Sequence, residues 1–166
     1  MKKIEIERRF LLKRLPIINY HEIIDISQYY ISDNGIKRLR SSLSDISGLK
    51  FEYIEKINVE NGVNTEQDVV TFSASGLSEI AMFSEIAQKA FKSINKTRYI
   101  YNYCGHKFEV DLLTYPSLVL LEVELSDINQ KINFPPDIEK EIIYEVTGIK
   151  EFSNFNLAEN IQWKTN

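Results

Sequence analysis

The stretch SLVLLEVEL at residues 117–125 decides how the rest of the chain is read. In an extended strand, successive side chains point to opposite faces. Glu122 and Glu124 therefore share one face, and Val119, Leu121, Val123 and Leu125 share the other. The apolar face needs a packing partner, expected to be a helix, and the two carboxylates then look the opposite way. The N-terminus repeats the arrangement, with Ile4, Ile6 and Phe10 alternating with Glu5, Glu7 and Arg9.

Working outward, the same spacing recurs. Arg38 with Arg40, Glu66 with Asp68, Lys96 with Arg98, and Glu109 with Asp111 are each two residues apart inside strand-like stretches. A sheet with one solvated face also alternates charged and apolar residues. Here, however, like charges are grouped within strands, and adjacent like charges repel, so a solvated face gains nothing from the grouping. A curled sheet would bring these faces together. The carboxylates then suit Mg2+ or Mn2+, which take oxygen ligands. The Arg and Lys sets suit phosphate oxygens, and arginine can grip them with two parallel hydrogen bonds.

Strands are predicted at residues 4–12, 28–32, 36–42, 49–59, 64–72, 94–103, 106–113 and 117–125, with Asn34-Gly35, Gly48, Gly62 and Gly105 as turn signals. Helical spacing of Ile80, Phe83, Ala87, Ala90 and Phe91 predicts a helix within 75–93, with Ser75 as its N-cap. Ile138, Ile142 and Val146 predict a second over 136–146, ended by Gly148, and a short terminal helix is expected over 154–161. Residues 17–26 read either way. The expected architecture is α+β, mainly antiparallel, in one domain over 1–166, with helices packed outside a curled or closed sheet.

Composition bounds the function. The chain has 166 residues, 43 % of them hydrophobic and 27 % charged, as in a globular protein. Cys104 is the sole cysteine, so no intrachain disulfide can form. The charged start and the lack of any run of roughly 20 apolar residues lead us to expect a cytoplasmic protein with no membrane partner. A net charge of -4 argues against tracking a long nucleic acid. His21 and His106 lack zinc-like spacing. Tyr99, Tyr101 and Tyr103 read as strand packing.

Glu5-Ile6-Glu7-Arg8-Arg9 resembles the N-terminal Glu-x-Glu-x-Lys motif of CYTH-domain proteins, the triphosphate tunnel metalloenzymes. Residues 28–31, Lys37-Arg38-Leu39-Arg40, Lys56, Glu66 with Asp68, Lys96-Thr97-Arg98-Tyr99, Glu109-Val110-Asp111 and residues 121–125 resemble later motifs in the same order. Glu145-Val146-Thr147-Gly148, residues 152–154 and Leu157-Ala158 resemble the C-terminus of the bacterial inorganic triphosphatase-like branch.

The resemblance implies an eight-stranded closed tunnel with a polar interior. It implies metal-dependent hydrolysis of inorganic tripolyphosphate or of a nucleoside or thiamine triphosphate. The alternatives within reach are a class IV adenylate cyclase and a non-catalytic binder of polyphosphate or nucleotide. Arg38, Arg40, Lys56, Lys96 and Arg98 would hold the triphosphate. Glu5, Glu7, Asp111, Glu122 and Glu124 would hold Mg2+ or Mn2+. Glu5, Glu7, Arg9, Tyr30 and Asp111 would take part in catalysis, with Glu66, Asp68, Glu109 and Glu145 as further candidates. Members of the family often dimerise, so a homodimer is one expectation.

Two positions depart from the family pattern. Arg9 stands where the family has lysine, and arginine keeps the charge but cannot serve as a base. Asn64 stands where the family usually has arginine, which removes one phosphate contact.

Overall fold

A computed structural model describes residues 2–32, 37–58, 63–73, 77–127 and 129–161. The chain is mainly antiparallel β-sheet with a few short helices. The strands are β1 (Lys2–Leu12), β2 (Glu22–Tyr30), β3 (Lys37–Ser44), β4 (Gly48–Asn58), β5 (Val63–Ser73), β6 (Lys92–Tyr103), β7 (His106–Leu113), β8 (Leu118–Leu125), β9 (Ile142–Glu145) and β10 (Glu159–Asn160). The helices are α1 (Leu77–Ala87), α2 (Pro136–Glu139) and α3 (Asn154–Leu157).

Along the sheet the neighbours are β10, β6, β2, β3, β4, β5, β1, β8 and β7. β7 also pairs with β6, placing Asp111 opposite Arg98, and β9 pairs with β1. The β6–β7 hairpin turns through Cys104 and Gly105, both at positive φ (48° and 76°), the backbone of a two-residue turn that matches strand twist.

Two of the three apolar clusters lie on the outward face of the strands, opposite the charged pairs, and the third lies on the charged face. Phe10, Phe108, Val110, Leu121 and Val123 are buried there beneath Ile132 and Ile138, with Phe134 set edge-on to Phe10 at 5.2 Å between ring centroids. Helix α1 covers a second outward patch, where Phe83 and Ala87 meet Leu39 and Phe51. A third cluster joins Tyr30, Ile94, Leu113 and Leu120 to Val146 and Ala158 of the C-terminal segment.

Three helix expectations are corrected. The stretch predicted as helix over 136–146 holds only the single turn α2, followed by strand β9. Ile142 to Glu145 instead pair with Phe10 to Leu12 of β1, because a β-branched, aromatic segment beside an open strand edge gains more from a ladder than from helical periodicity. Between them Glu141 is buried and ion-paired to Arg14. The helix expected within 75–93 ends at Ala87, and Lys92 already begins β6. Its proposed cap, Ser75, and the turn residues Asn34, Gly35 and Gly62 lie outside the described residues. The terminal helix is one turn, capped by Ser153, and gives way to β10. The ambiguous stretch resolves as strand from Glu22.

Candidate functional site

The grouped charges meet across strands. Register sets Glu7 opposite Glu124 and Arg9 opposite Glu122 on β1 and β8, Glu109 opposite Glu122 on β7 and β8, and Arg98 opposite Asp111 on β6 and β7. Residues opposite one another in a ladder share a face, so Arg9 and Arg98 are brought among the carboxylates of β1, β7 and β8 and offset their mutual repulsion. That answers the repulsion that the sequence alone left unexplained.

Arg98 is the centre of this layer. Its Nε donates to Asp111 Oδ1 at 2.7 Å, and its Nη2 donates to Asp111 Oδ2 at 2.8 Å and to Glu122 Oε2 at 2.6 Å. Its Nη1 donates to Glu109, which also takes Lys107. Arg9 Nη2 donates to Glu122 and reaches Glu7 Oε1 at 3.4 Å. Burial opposes the charge on both arginines, but the carboxylates outweigh it and raise their pKa above the ordinary value, Arg98 well above. Both stay cationic, so neither can accept a proton from water.

Lys96, only 3 % exposed, is ion-paired to Asp111. Burial, then Arg98, pushes its ammonium below its ordinary pKa against the pull of Asp111 and Glu122. Lys96, expected on the substrate, shares the Arg98 face of β6 and holds Asp111.

Three guanidinium groups, Arg38 and Arg40 of β3 and Arg9 of β1, act on the phenol of Tyr30 at the end of β2. Burial raises the pKa of Tyr30, while Arg38, Arg40 and Arg9 pull it down and Arg38 hydrogen-bonds the phenol. The net direction is upward, so Tyr30 stays protonated near neutrality and is no base. Two neighbours were not among the sequence candidates. Gln28 is fully buried, and its side-chain oxygen accepts from Nε and Nη2 of Arg40 at 3.1 Å. Glu52 lies 3.6 Å from Arg40 Nη1. The signal for Gln28 was its place two residues before Tyr30, and that for Glu52 was Lys50 two residues before it, the same spacing as the other charged pairs.

Glu124 is exposed at the edge of the layer. Glu145 is in a two-bond contact with Arg8 (2.8 and 2.5 Å) and accepts from Thr147. The side chains of Glu5, Lys56, Glu66 and Asp68 lie outside the described residues. Their backbones place Glu5 opposite Asn64 and Lys56 opposite Glu66.

Among the described residues no three carboxylates or other ligands gather into a cage for a metal ion. The donor set nonetheless fits Mg2+ or Mn2+. Magnesium is ordinarily held by one or two carboxylates together with substrate phosphates, and it keeps several waters. Glu7 and Glu124, facing each other across β1 and β8, are such a pair.

No protein-family model matches the chain, and no curated protein sequence matches it. Solved structures do. The inorganic triphosphatase NE1496 aligns over 92 % of this chain and 93 % of its own, with a TM-score of 0.56 and 24 % identity. A second structure of NE1496 aligns with a TM-score of 0.57. The chain has the fold of NE1496. A candidate adenylate cyclase from Bacillus halodurans, bh2851, aligns over 84 % of this chain and 97 % of its own, with a TM-score of 0.50 and 18 % identity. Similarity to a triphosphatase and a cyclase candidate agrees, at the level of fold, with the resemblance read from the sequence. No helix among the described residues is long and apolar enough to cross a membrane.

Proposed function

We propose that the chain is a CYTH-family enzyme that hydrolyses a triphosphate with the help of a divalent metal, inside a tunnel formed by the curled sheet. The observation that carries this is the convergence of Arg9, Arg38 and Arg40 on Tyr30, beside a layer rich in carboxylates. Three fixed cations suit a polyanion, and the adjoining carboxylates of Glu7 and Glu124, opposite one another on β1 and β8, suit its metal. The pairing of β7 back to β6 supports an enclosed interior. The similarity to NE1496 supports hydrolysis over cyclisation.

In this reading Arg38 and Arg40, braced by Gln28 and Glu52, bind phosphate oxygens and hold the chain of phosphates straight. Arg9 adds positive charge. Arg98, committed to Asp111, Glu109 and Glu122, chiefly fixes the carboxylates in place. Glu7 and Glu124 would hold the metal, with Glu122 behind them and Glu5 as the next position on the same strand. The metal, when bound, neutralises phosphate charge and makes water more acidic. Water attacks the terminal phosphorus, the bridging P–O bond breaks, and tripolyphosphate leaves as pyrophosphate and phosphate. Positioning and charge neutralisation supply most of the acceleration.

Purified protein should release phosphate from tripolyphosphate, and the rate should vanish in EDTA and return with Mg2+ or Mn2+. ATP, GTP and thiamine triphosphate tested in parallel rank the substrates. No release from any of the four with either metal would sink the hydrolase. Cyclic AMP formed from ATP would move the chain to the cyclase reading.

A further inference from the structure

Arg9, the residue that departs from the family pattern, also joins the charged layer to the C-terminal segment. Its backbone N–H donates to Thr147 Oγ1 at 2.9 Å, and its carbonyl accepts from Val146 N at 2.8 Å. Its Nη1 donates to the carbonyl of Phe152 at 2.7 Å. Nη2 is committed to Glu122 and Glu7. The Nε–H is buried and has no hydrogen-bond partner among the described residues. The segment it touches, residues 146–158, seats Val146 and Ala158 in the cluster of Tyr30, Ile94, Leu113 and Leu120, with Phe152 and Phe155 packed alongside. Phe155 meets the Tyr30 ring edge-on at 5.1 Å. One residue therefore contacts, through one planar group, both the carboxylates of the site and the backbone that holds this segment down.

We propose that Arg9 is a positioning residue that couples occupancy of the anion site to the seating of residues 146–158. A buried N–H lacking an acceptor is unfavourable, and a phosphate oxygen is a strong one. An anion that takes Nε completes the guanidinium fork without displacing the bond to Phe152. Binding and seating then favour each other, and the coupling is reciprocal. Lysine cannot replace this. Its three donors radiate from a single atom, whereas the guanidinium presents separate nitrogens to Phe152, to the carboxylates and to the ligand. The inference rests on the triphosphate reading of the site.

The test uses the full chain in EDTA, so that no turnover occurs. Calorimetry measures tripolyphosphate binding, and hydrogen–deuterium exchange is followed on the same preparation with and without the ligand. Exchange of the amides of Val146, Ile149 and Leu157, all backbone-bonded, should slow about fivefold or more at saturation, the lower end of ordinary coupling between sites. The amides of Phe108 and Val110 on the outward core serve as the internal reference and should change less. In Arg9→Lys the anion should still bind, and the slowing of residues 146–158 should fall below about twofold. Binding without slowing in the native protein overturns the coupling and leaves the triphosphate reading standing. Equal slowing in Arg9→Lys, or slowing no greater than in the reference strands, also overturns it. Absence of tripolyphosphate binding in EDTA overturns the coupling, while the triphosphate reading is decided separately by the phosphate-release assay with Mg2+ or Mn2+. The comparison within native protein decides the point even if the lysine variant folds poorly.

Discussion

Strands β1, β7 and β8 carry opposite chemistries on their two faces. Outward, Phe10, Phe108, Val110, Leu121 and Val123 pack as an ordinary apolar core. Inward, Glu7, Arg9, Glu109, Asp111 and Glu122 form a layer of ion pairs with Arg98 and Lys96. In a small sheet protein the enclosed side usually holds the core. Here the larger part of the core lies on the opposite face, beneath loops and short helices, and the charged face carries its ion pairs beside the smaller cluster of Tyr30, Ile94, Leu113 and Leu120. Stability should therefore be set by both faces, through different physics, and ligand binding by one of them.

The inward face should be the more sensitive to losing a single group. Arg98→Met removes the shared partner of Asp111, Glu109 and Glu122 and leaves buried carboxylates uncompensated, which ordinarily costs about 3–5 kcal/mol. Urea denaturation measures it. A loss below about 1 kcal/mol, the value of an exposed ion pair, would show that the layer is fully hydrated and would break the contrast.

On the outward face, Leu121 is fully buried. Leu121→Ala should cost about 2–5 kcal/mol through lost transfer energy and the cavity left behind. Tripolyphosphate affinity, measured below the unfolding range, should stay within about twofold, since the Leu121 side chain lies on the opposite face of β8 from Glu122. A tenfold change in affinity would mean the two faces do not act separately.

A double change, Glu122→Gln with Glu124→Gln, keeps the volume but removes the charge that attracts a hard cation. Metal-dependent phosphate release should fall about 100-fold, equivalent to about 2.7 kcal/mol at the transition state, while the circular dichroism of the sheet is unchanged. Full turnover at low metal concentration would remove these carboxylates from the metal site.

The smallest effect lies outside the layer. The hydrogen bonds from Arg8 lower the carboxyl pKa of Glu145, with a further contribution from Thr147 and some opposition from burial. A carboxyl depressed in the folded state stabilises the fold above its unfolded pKa, and that contribution disappears as pH falls through the folded value. Because both partners are partly exposed, Glu145→Gln should cost only a few tenths of a kcal/mol near neutrality. The difference from native protein should close below the usual carboxylate range, which denaturation curves at pH 7 and pH 3 would reveal. A gap that persists at pH 3 would assign the effect to packing instead of charge.

Much of this contrast was legible in the chain. Alternation in residues 117–125 and 106–113 placed Leu121 and Glu122, or Phe108 and Glu109, on opposite faces, because the strand period of two is rigid. Helical periodicity is a weaker guide. Ile138, Ile142 and Val146 recur every four residues, yet Ile142 pairs with Leu12 in a strand and Val146 packs beside Tyr30. A spacing of four satisfies both periods, and only the free edge of β1 decides between them. Gln28 shares the face of Tyr30 by the same rule, but an uncharged amide shows its role only once Arg40 is set opposite it.

What the sequence determined by itself was which residues share a face, since that follows from local geometry within each strand. It also determined that like charges are grouped, and through the resemblance it pointed to the fold now seen in NE1496. What only the tertiary structure decided was the pairing of those groups. Arg98 meets Asp111 and Glu122, Lys96 is buried against Asp111, Glu145 turns away to Arg8, and Arg9 reaches Phe152. These partners are 13, 24, 15, 137 and 143 residues apart. No local rule relates them: strand register brings the first four within hydrogen-bonding distance, and the seating of the C-terminal segment brings Phe152 to Arg9.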